Sequence, residues 1–409
     1  MYAASSADKG CTLYNNFPYS WSSRHAIMLL FFCMCFLLGA SGCSSSAGVF
    51  GGNGSWQTGG LQNEPIRTLA VNTNNANMIY AGDAQGKVFV SADAALHWSE
   101  HSAGLPVPGG LHALLFDSGT GRLFAATDKG IFSSDSNVQR WTAVKAVGLA
   151  TDSYTALEFN ASVPRTLYAG TAHAGVFMSR DGGVSWSALR SGWLAESTVN
   201  GLSYDAGLHQ LWAATTSGVY HLADGAQSWL AGNAGLPAGS IAYAVQPFVT
   251  NNVSQEVFYL GTNHGVYTSR DQGQHWEATR ESLAAVSVYQ IVVDFRTGNG
   301  QTIYIGSDVG AFRSDDGGQT WSSIAAGLPR ARPVYALALG ADNYAQLFAA
   351  ANGVYQYPGS GGGGTSPSRL ITILIVVLFF LLLYGVTRYN RNRKKATPFP
   401  QPPTEKGQE

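Results

Sequence analysis

The stretch Ser179-Arg180-Asp181-Gly182-Gly183-Val184-Ser185-Trp186 is written again as Ser269-Arg270-Asp271-Gln272-Gly273-Gln274-His275-Trp276 and as Ser314-Asp315-Asp316-Gly317-Gly318-Gln319-Thr320-Trp321. Each copy reads Ser-x-Asp-x-Gly-x-x-Trp and follows a short β-rich run: Gly-Val-Phe-Met, Gly-Val-Tyr-Thr or Gly-Ala-Phe-Arg. The spacing has a mechanical reading. A strand ends at the Ser, and the Asp carboxylate accepts hydrogen bonds from turn amides. The Gly takes a backbone angle that side chains resist, and the Trp starts the returning strand and covers the turn. The motif is a hairpin fastener.

Worn copies extend the series. Ser91 and Asp93 stand ahead of Trp98 with Ala95 in the Gly position; Asp135 lies six residues before Trp141; Asp224 precedes Trp229 with Leu222 and Ala226 replacing Ser and Gly. With Trp56, the tryptophans fall 42, 43, 45, 43, 47 and 45 residues apart. A period of ~40–50 residues holding four strand-like runs is the signature of propeller blades. Second strands recur as Ile79-Tyr80-Ala81-Gly82, Leu123-Phe124-Ala125-Ala126, Leu167-Tyr168-Ala169-Gly170 and four equivalents, small and apolar as packing on both faces requires. The last repeat carries three strands and no Trp, whereas Trp56 is an orphan. The expectation is an all-β, seven-bladed β-propeller over 55–358 whose N-terminal strand closes the last blade and removes the open edges.

Composition agrees. Charged residues are 12% of the chain, aromatics 12%, and there are 49 glycines, a mix suited to tight β-turns rather than to disorder or coiled coil. Between Ser44 and Ser368, 15 basic residues face 22 acidic ones, which argues against nucleic acid as a partner. The four cysteines are Cys11, Cys33, Cys35 and Cys43, so the propeller uses no disulfide.

The ends indicate a membrane. Ala26 to Ala40 is an apolar run suited to a secretory signal, and Ala40-Ser41-Gly42-Cys43 resembles a bacterial lipoprotein cleavage site, which implies lipidation of Cys43. Residues 1–42 are read as signal peptide or signal anchor and 43–54 as a flexible linker. After a Gly/Ser linker at 359–369 comes a transmembrane helix at 370–387, whose uncharged core Leu370–Val386 covers about 26 Å. The tail, 388–409, holds six basic and two acidic residues, so the positive-inside rule makes it cytoplasmic and the propeller extracellular. Its Thr397-Pro398-Phe399-Pro400 segment favours an extended conformation.

This pattern resembles the Asp-box propellers, a grouping of sialidases, xyloglucan-cleaving glycosidases, sortilin-type receptors and photosystem II assembly factors. Leu-Tyr-Ala-Gly-Thr followed by Gly-Val-Phe-x-Ser-x-Asp-Gly-Gly looks closest to the glycosidase and receptor members. The resemblance covers Ser55 to Tyr357 and implies a structural box facing away from the ligand. It implies a fold far more than an activity. Sialidase chemistry needs three converging arginines, and no Arg-Ile-Pro motif is present. The xyloglucan enzymes use two acids across two propellers, and the assembly factors imply a basic patch that this acidic domain lacks.

The face opposite the boxes carries the second-to-third strand turns and the blade-to-blade loops, the default place for function. Turn residues there include Asp83, Asp128, His173, His264, Asp308 and Asn352, and the three acids are the weak catalytic candidates. Loop candidates for ligand binding are Arg190, Trp193, Glu196, Arg280, Arg330 and Arg332. Trp193 either anchors a ligand or fills the slot of Leu105 and Leu236 in the Gly-Leu-Pro loops. No metal set and no cofactor motif is recognisable. The expected activity is binding of a glycan or protein ligand by a membrane-tethered module without catalysis. The alternatives are an extracellular glycoside hydrolase and an assembly factor for a membrane complex.

Overall fold

The computed structural model describes residues 54–145, 148, 152–189, 197–248, 256–279, 283–295, 301–341 and 346–358. The chain divides into two units, Met1–Gly52 and Asn53–Glu409, and the first lies outside the described residues. So do Cys43, the apolar run at 370–387 and the tail. Among the described residues no helix is long and apolar enough to cross a membrane.

Twenty-eight strands form seven four-stranded antiparallel sheets. Six are meanders of consecutive strands, blade 1 from Ile66–Val71 to Ser99–Glu100 and blade 6 from Val288–Asp294 to Ser322–Ser323. Blade 7 takes Ala336–Leu339, Gln346–Ala350 and Val354–Pro358 from the end of the propeller and Gln57–Thr58 from its start. Gln57 pairs with Gln356 and Thr58 with Tyr355. The seven-bladed ring and its N-terminal closing strand are as the repeat predicts. The fourth strands are only two or three residues long and start one residue after each Trp.

The boxes fasten as their spacing requires. Ser179 Oγ donates to Asp181 Oδ1 (2.8 Å) and accepts from Gly183 N (2.8 Å), while Asp181 Oδ1 accepts from Val184 N and Ser185 N at 2.9 Å. The copies at Ser269/Asp271/Gly273 and Ser314/Asp316/Gly318 repeat the Ser–Asp bond, the Gly N–Ser bond and the bond from the amide four residues after the Asp. So does the worn copy: Ser91 Oγ bonds Asp93 Oδ1 and Ala95 N, both at 2.9 Å. Its cost is visible in the backbone, because Ala94 and Ala95 hold φ of 57° and 68° where the first copy has Gly182 and Gly183.

The tryptophans do more than cover turns. Nε1 of Trp98, Trp141, Trp276 and Trp56 donates to Gly59, His101, Gly232 and Ile324 carbonyls, each lying just beyond the fourth strand of the preceding blade. Blade-to-blade loops meet them with glycines. Gly104, Gly235 and Gly327 have φ near +90°, and a Cβ on them would lie 2.2, 2.1 and 2.2 Å from the carbonyl oxygens of Trp141, Trp276 and Trp56. Second strands are buried along their whole length in blades 1, 3, 5 and 6, so the core is a chain of seven interblade clusters rather than one central mass.

Candidate functional site

The inner strands surround a central channel of about 440 Å³, lined by residues from all seven blades. Each of the first six inner strands carries a β-bulge at its second residue. Register slips between Ile66 and Thr68, Leu111 and Ala113, Tyr154 and Ala156, Val199 and Gly201, Ala242 and Ala244, and Val288 and Gln290. A bulge leaves one residue unpaired and re-aims its side chain. The residues so placed are Arg67, His112, Thr155, Asn200, Tyr243 and Tyr289, and Tyr335 holds the corresponding place in blade 7; all seven line the channel. Inner strands begin where the blade-to-blade loops end, so this ring sits at the mouth on the face opposite the boxes.

The ring is chemically two-sided. On blades 5, 6, 7 and 1 it is an aromatic ladder: Tyr243 meets Tyr289 edge-on (5.1 Å, 73°), Tyr289 stacks on Tyr335 (5.5 Å, 25°), and the Arg67 guanidinium lies 3.7 Å from the Tyr335 ring centre. Burial, with a smaller push from Asp308, raises the Tyr289 phenol above its ordinary pKa, so its hydroxyl stays a donor. On blades 2 to 4 the ring is polar. Thr155 Oγ1 donates to the Val199 carbonyl and Asn200 Nδ2 to the Ala242 carbonyl, which ties adjacent inner strands together.

His112, Asp128 and Ser153 adjoin one another without forming a catalytic triad. Asp128 Oδ1 receives both His112 Nε2 (2.7 Å) and Ser153 Oγ (2.9 Å), and Oδ2 accepts from Gly110 N (2.7 Å). The His112 hydrogen bond is the largest reason the Asp128 carboxyl falls to about 2. A triad needs the hydroxyl to donate to the imidazole that the carboxylate orients from its other nitrogen; here the same nitrogen, His112 Nε2, faces both Asp128 Oδ1 and Ser153 Oγ (3.4 Å). Beside it, Asp152 accepts from Ser153 N, His173 N and Ala174 N and pairs with His173 Nδ1 at 3.2 Å.

Deeper in the channel stands Glu158, the one acid among the described lining residues. It is half-buried in the channel wall. Burial pushes its carboxyl up to about 8 against the opposing hydrogen bond from Tyr204 N–H.

The other expected residues are dispersed. Asp83 is fully buried and its Oδ1 accepts from Gln85 N and Lys87 N of its own turn. Asp308 Oδ1 accepts from Ser287 N, and Asn263 Oδ1 does the same for Ile241 N. These side chains hold the entry of their own inner strand, which is a turn role. Arg330 and Arg332 are exposed on the loop between blades 6 and 7. Arg190, Trp193, Glu196 and Arg280 lie outside the described residues. Sequence reading missed the ring itself, although its signal was present: Tyr243, Tyr289 and Tyr335 recur at intervals of 46 residues. Among the described residues no cluster of three or more His, Cys, Asp or Glu could hold a metal ion.

Residues 312–323 match the BNR/Asp-box repeat, the third copy of the box. No curated protein sequence matches the chain. Among solved structures, the fold is shared with YCF48 from Cyanidioschyzon merolae, at 12% identity and a TM-score of 0.56 over 74% of this chain and 98% of that one. A structure of YCF48 bound to a D1 peptide gives 14% identity and a TM-score of 0.57 over 73% and 94%. The GH74 xyloglucanase from Xanthomonas campestris gives 14% and 0.56 over 76% of this chain but only 55% of its own. At these identities the likeness establishes the fold, a seven-bladed propeller with Asp-box repeats.

Proposed function

We propose that the propeller is a ligand-binding module without catalytic activity, and that its ligand is a protein segment seated on the bulge ring at the channel mouth. The observation that carries this reading is the Tyr243–Tyr289–Tyr335–Arg67 ladder. Rigid aromatic and arginine side chains grouped in one concave place are the usual anchors of a protein interface. A glycan platform presents an open ring face, but here Tyr335 has Arg67 on one side and Tyr289 on the other. What the ladder offers is ring edges and hydroxyls. The hydrolase reading has less support: glycosidases place two carboxylates about 5–9.5 Å apart, whereas Asp83, Asp128 and Asp308 are bound to turn amides and Glu158 stands alone among the described lining residues. YCF48, which shares the fold, has been seen with a D1 peptide. In this proposal the apolar run at 370–387 tethers the module to a membrane, with the propeller outside.

Peptide and glycan display against the full-length chain tests the reading. A peptide hit whose affinity falls about tenfold or more in Tyr289→Ala or Arg67→Ala supports it, the loss expected for an interface anchor. Glycan hits with no peptide hit, or turnover of a glycoside substrate, would replace it.

A further inference from the structure

The box of one blade normally rests on the aromatic residue in the second strand of the blade before it. A Cβ built on Gly183, Gly273 or Gly318 would come within 3.2, 2.2 or 3.1 Å of the Phe124, Trp212 or Tyr259 ring. In blade 2, where the box is worn, Tyr80 still reaches across to the Ser136 carbonyl at 2.8 Å. Blade 4 breaks the rule. Its turn has Leu222 and Ala226 in the Ser and Gly positions, so it lacks both the hydroxyl that fastens the complete boxes and the glycine that meets the neighbouring ring. Tyr168, the corresponding aromatic of blade 3, stacks on Tyr204 (5.9 Å, 14°) and accepts from Asn160 Nδ2 of its own blade (3.0 Å), much as Tyr80 stacks on Phe116 and accepts from Asn72 Nδ2. Between this turn and blade 3 a crevice of about 420 Å³ opens on the box face.

That volume is in the ~300–1,000 Å³ range of small-molecule sites. Met178, Leu189, Leu211 and Leu222 supply an apolar wall. Thr166, only 3% exposed, also lines the crevice, and its hydroxyl finds no hydrogen-bond partner. Two opposite charges stand at the rim. Arg180 has no ion-pair partner among the described residues, and Asp224 is exposed, held through Oδ2 by the Tyr204 hydroxyl at 2.8 Å. Cation, anion and apolar wall in one crevice match a molecule carrying an ammonium, a carboxylate and an aliphatic side chain.

We propose that the crevice between blades 3 and 4 is a second ligand site, separate from the channel mouth, for an aliphatic amino acid or short peptide bound as a zwitterion. Its carboxylate faces Arg180, its ammonium faces Asp224, and its side chain lies against Met178, Leu189 and Leu222. The proposal does not depend on the channel reading.

The test is thermal unfolding and calorimetric titration of the full-length chain with L-leucine, the dipeptide Leu-Leu, N-acetyl-leucine and leucinamide. A concentration-dependent rise in Tm with leucine or Leu-Leu is expected, the stronger of the two showing whether a free amino acid or a chain is preferred. Each blocked analogue should bind about tenfold or more weakly, since each loses one charge-assisted contact. Arg180→Ala should weaken binding similarly, and Ala188→Trp, an exposed wall substitution, should abolish it by filling the crevice. Tyr289→Ala should leave it unchanged, which separates this site from the channel mouth. No Tm shift with any probe, equal binding of free and blocked forms, or binding that survives Ala188→Trp would overturn the proposal.

Discussion

At the residue scale, the worn and complete boxes show where backbone angle decides identity. Ala94 and Ala95 both adopt left-handed φ, yet substituting glycine should affect them differently. Ala94→Gly relieves strain at a half-exposed position and should stabilise by ~0.5–1 kcal/mol. Ala95 is buried in the cluster between blades 7 and 1, so Ala95→Gly gives back about 0.8 kcal/mol of methyl burial and should be near neutral. Denaturant midpoints of the two variants check the contrast. Gly327→Ala should cost at least ~2 kcal/mol, because a φ of +93° coincides with a Cβ position 2.2 Å from the Trp56 oxygen. The glycine in each box was legible as a turn residue. The loop glycines were not, because the carbonyl that excludes their Cβ belongs to a tryptophan of the next blade, far away in sequence and at the other end of the propeller for Gly327.

At the scale of elements, the closing strand carries the ring. Trp56 is buried, donates to the Ile324 carbonyl at 2.7 Å, and packs on Tyr357 at 5.1 Å, so it joins blade 6, blade 7 and the N-terminus. Trp56→Ala should cost about 3–5 kcal/mol. It should also free the Val354–Pro358 edge, visible as lower Tm and concentration-dependent association. Trp56 was readable as the missing seventh member of the strand-and-tryptophan pattern. Its hydrogen bond to a neighbouring blade was not, since sequence spacing orders the elements along the chain but does not tell which carbonyl lies beside an indole.

At the scale of the whole molecule, titration separates the two faces. The box carboxylates are held low by hydrogen bonds: at Asp93 the largest is from His97 N–H and the pKa is about 2, and at Asp181 it is from Ser185. A lowered folded-state pKa stabilises above the unfolded value near 3.8 and is lost as pH falls through the folded value. The wild type should therefore exceed Asp93→Asn and Asp181→Asn in Tm most at pH 7, and the gap should close as pH falls below about 4. Glu158 works in the opposite sense. Its raised pKa means the folded state binds more proton than the unfolded one between 4.5 and about 8, so stability declines as pH rises through that window. Glu158→Gln should remove this slope, with a Tm gain at pH 8 and none at pH 4. An unchanged pH profile in Glu158→Gln would mean the carboxyl is not enclosed.

The sequence alone determined the number of blades, their strand order and the closure, because these depend on a repeat of turn chemistry and hydrophobic pattern that is local to each 40–50-residue unit. The positions of the box residues followed for the same reason. Both binding regions were decided by tertiary structure. The bulge ring gathers one residue from each blade, chemically unlike its neighbours, and only closure of the ring brings Tyr243, Tyr289, Tyr335 and Arg67 into contact. The proposed crevice site at Arg180 and Asp224 lies beside the worn box of blade 4 and takes its lining from two blades. The wear at Leu222 and Ala226 was plain in the sequence, but the crevice beside it depends on how blades 3 and 4 pack.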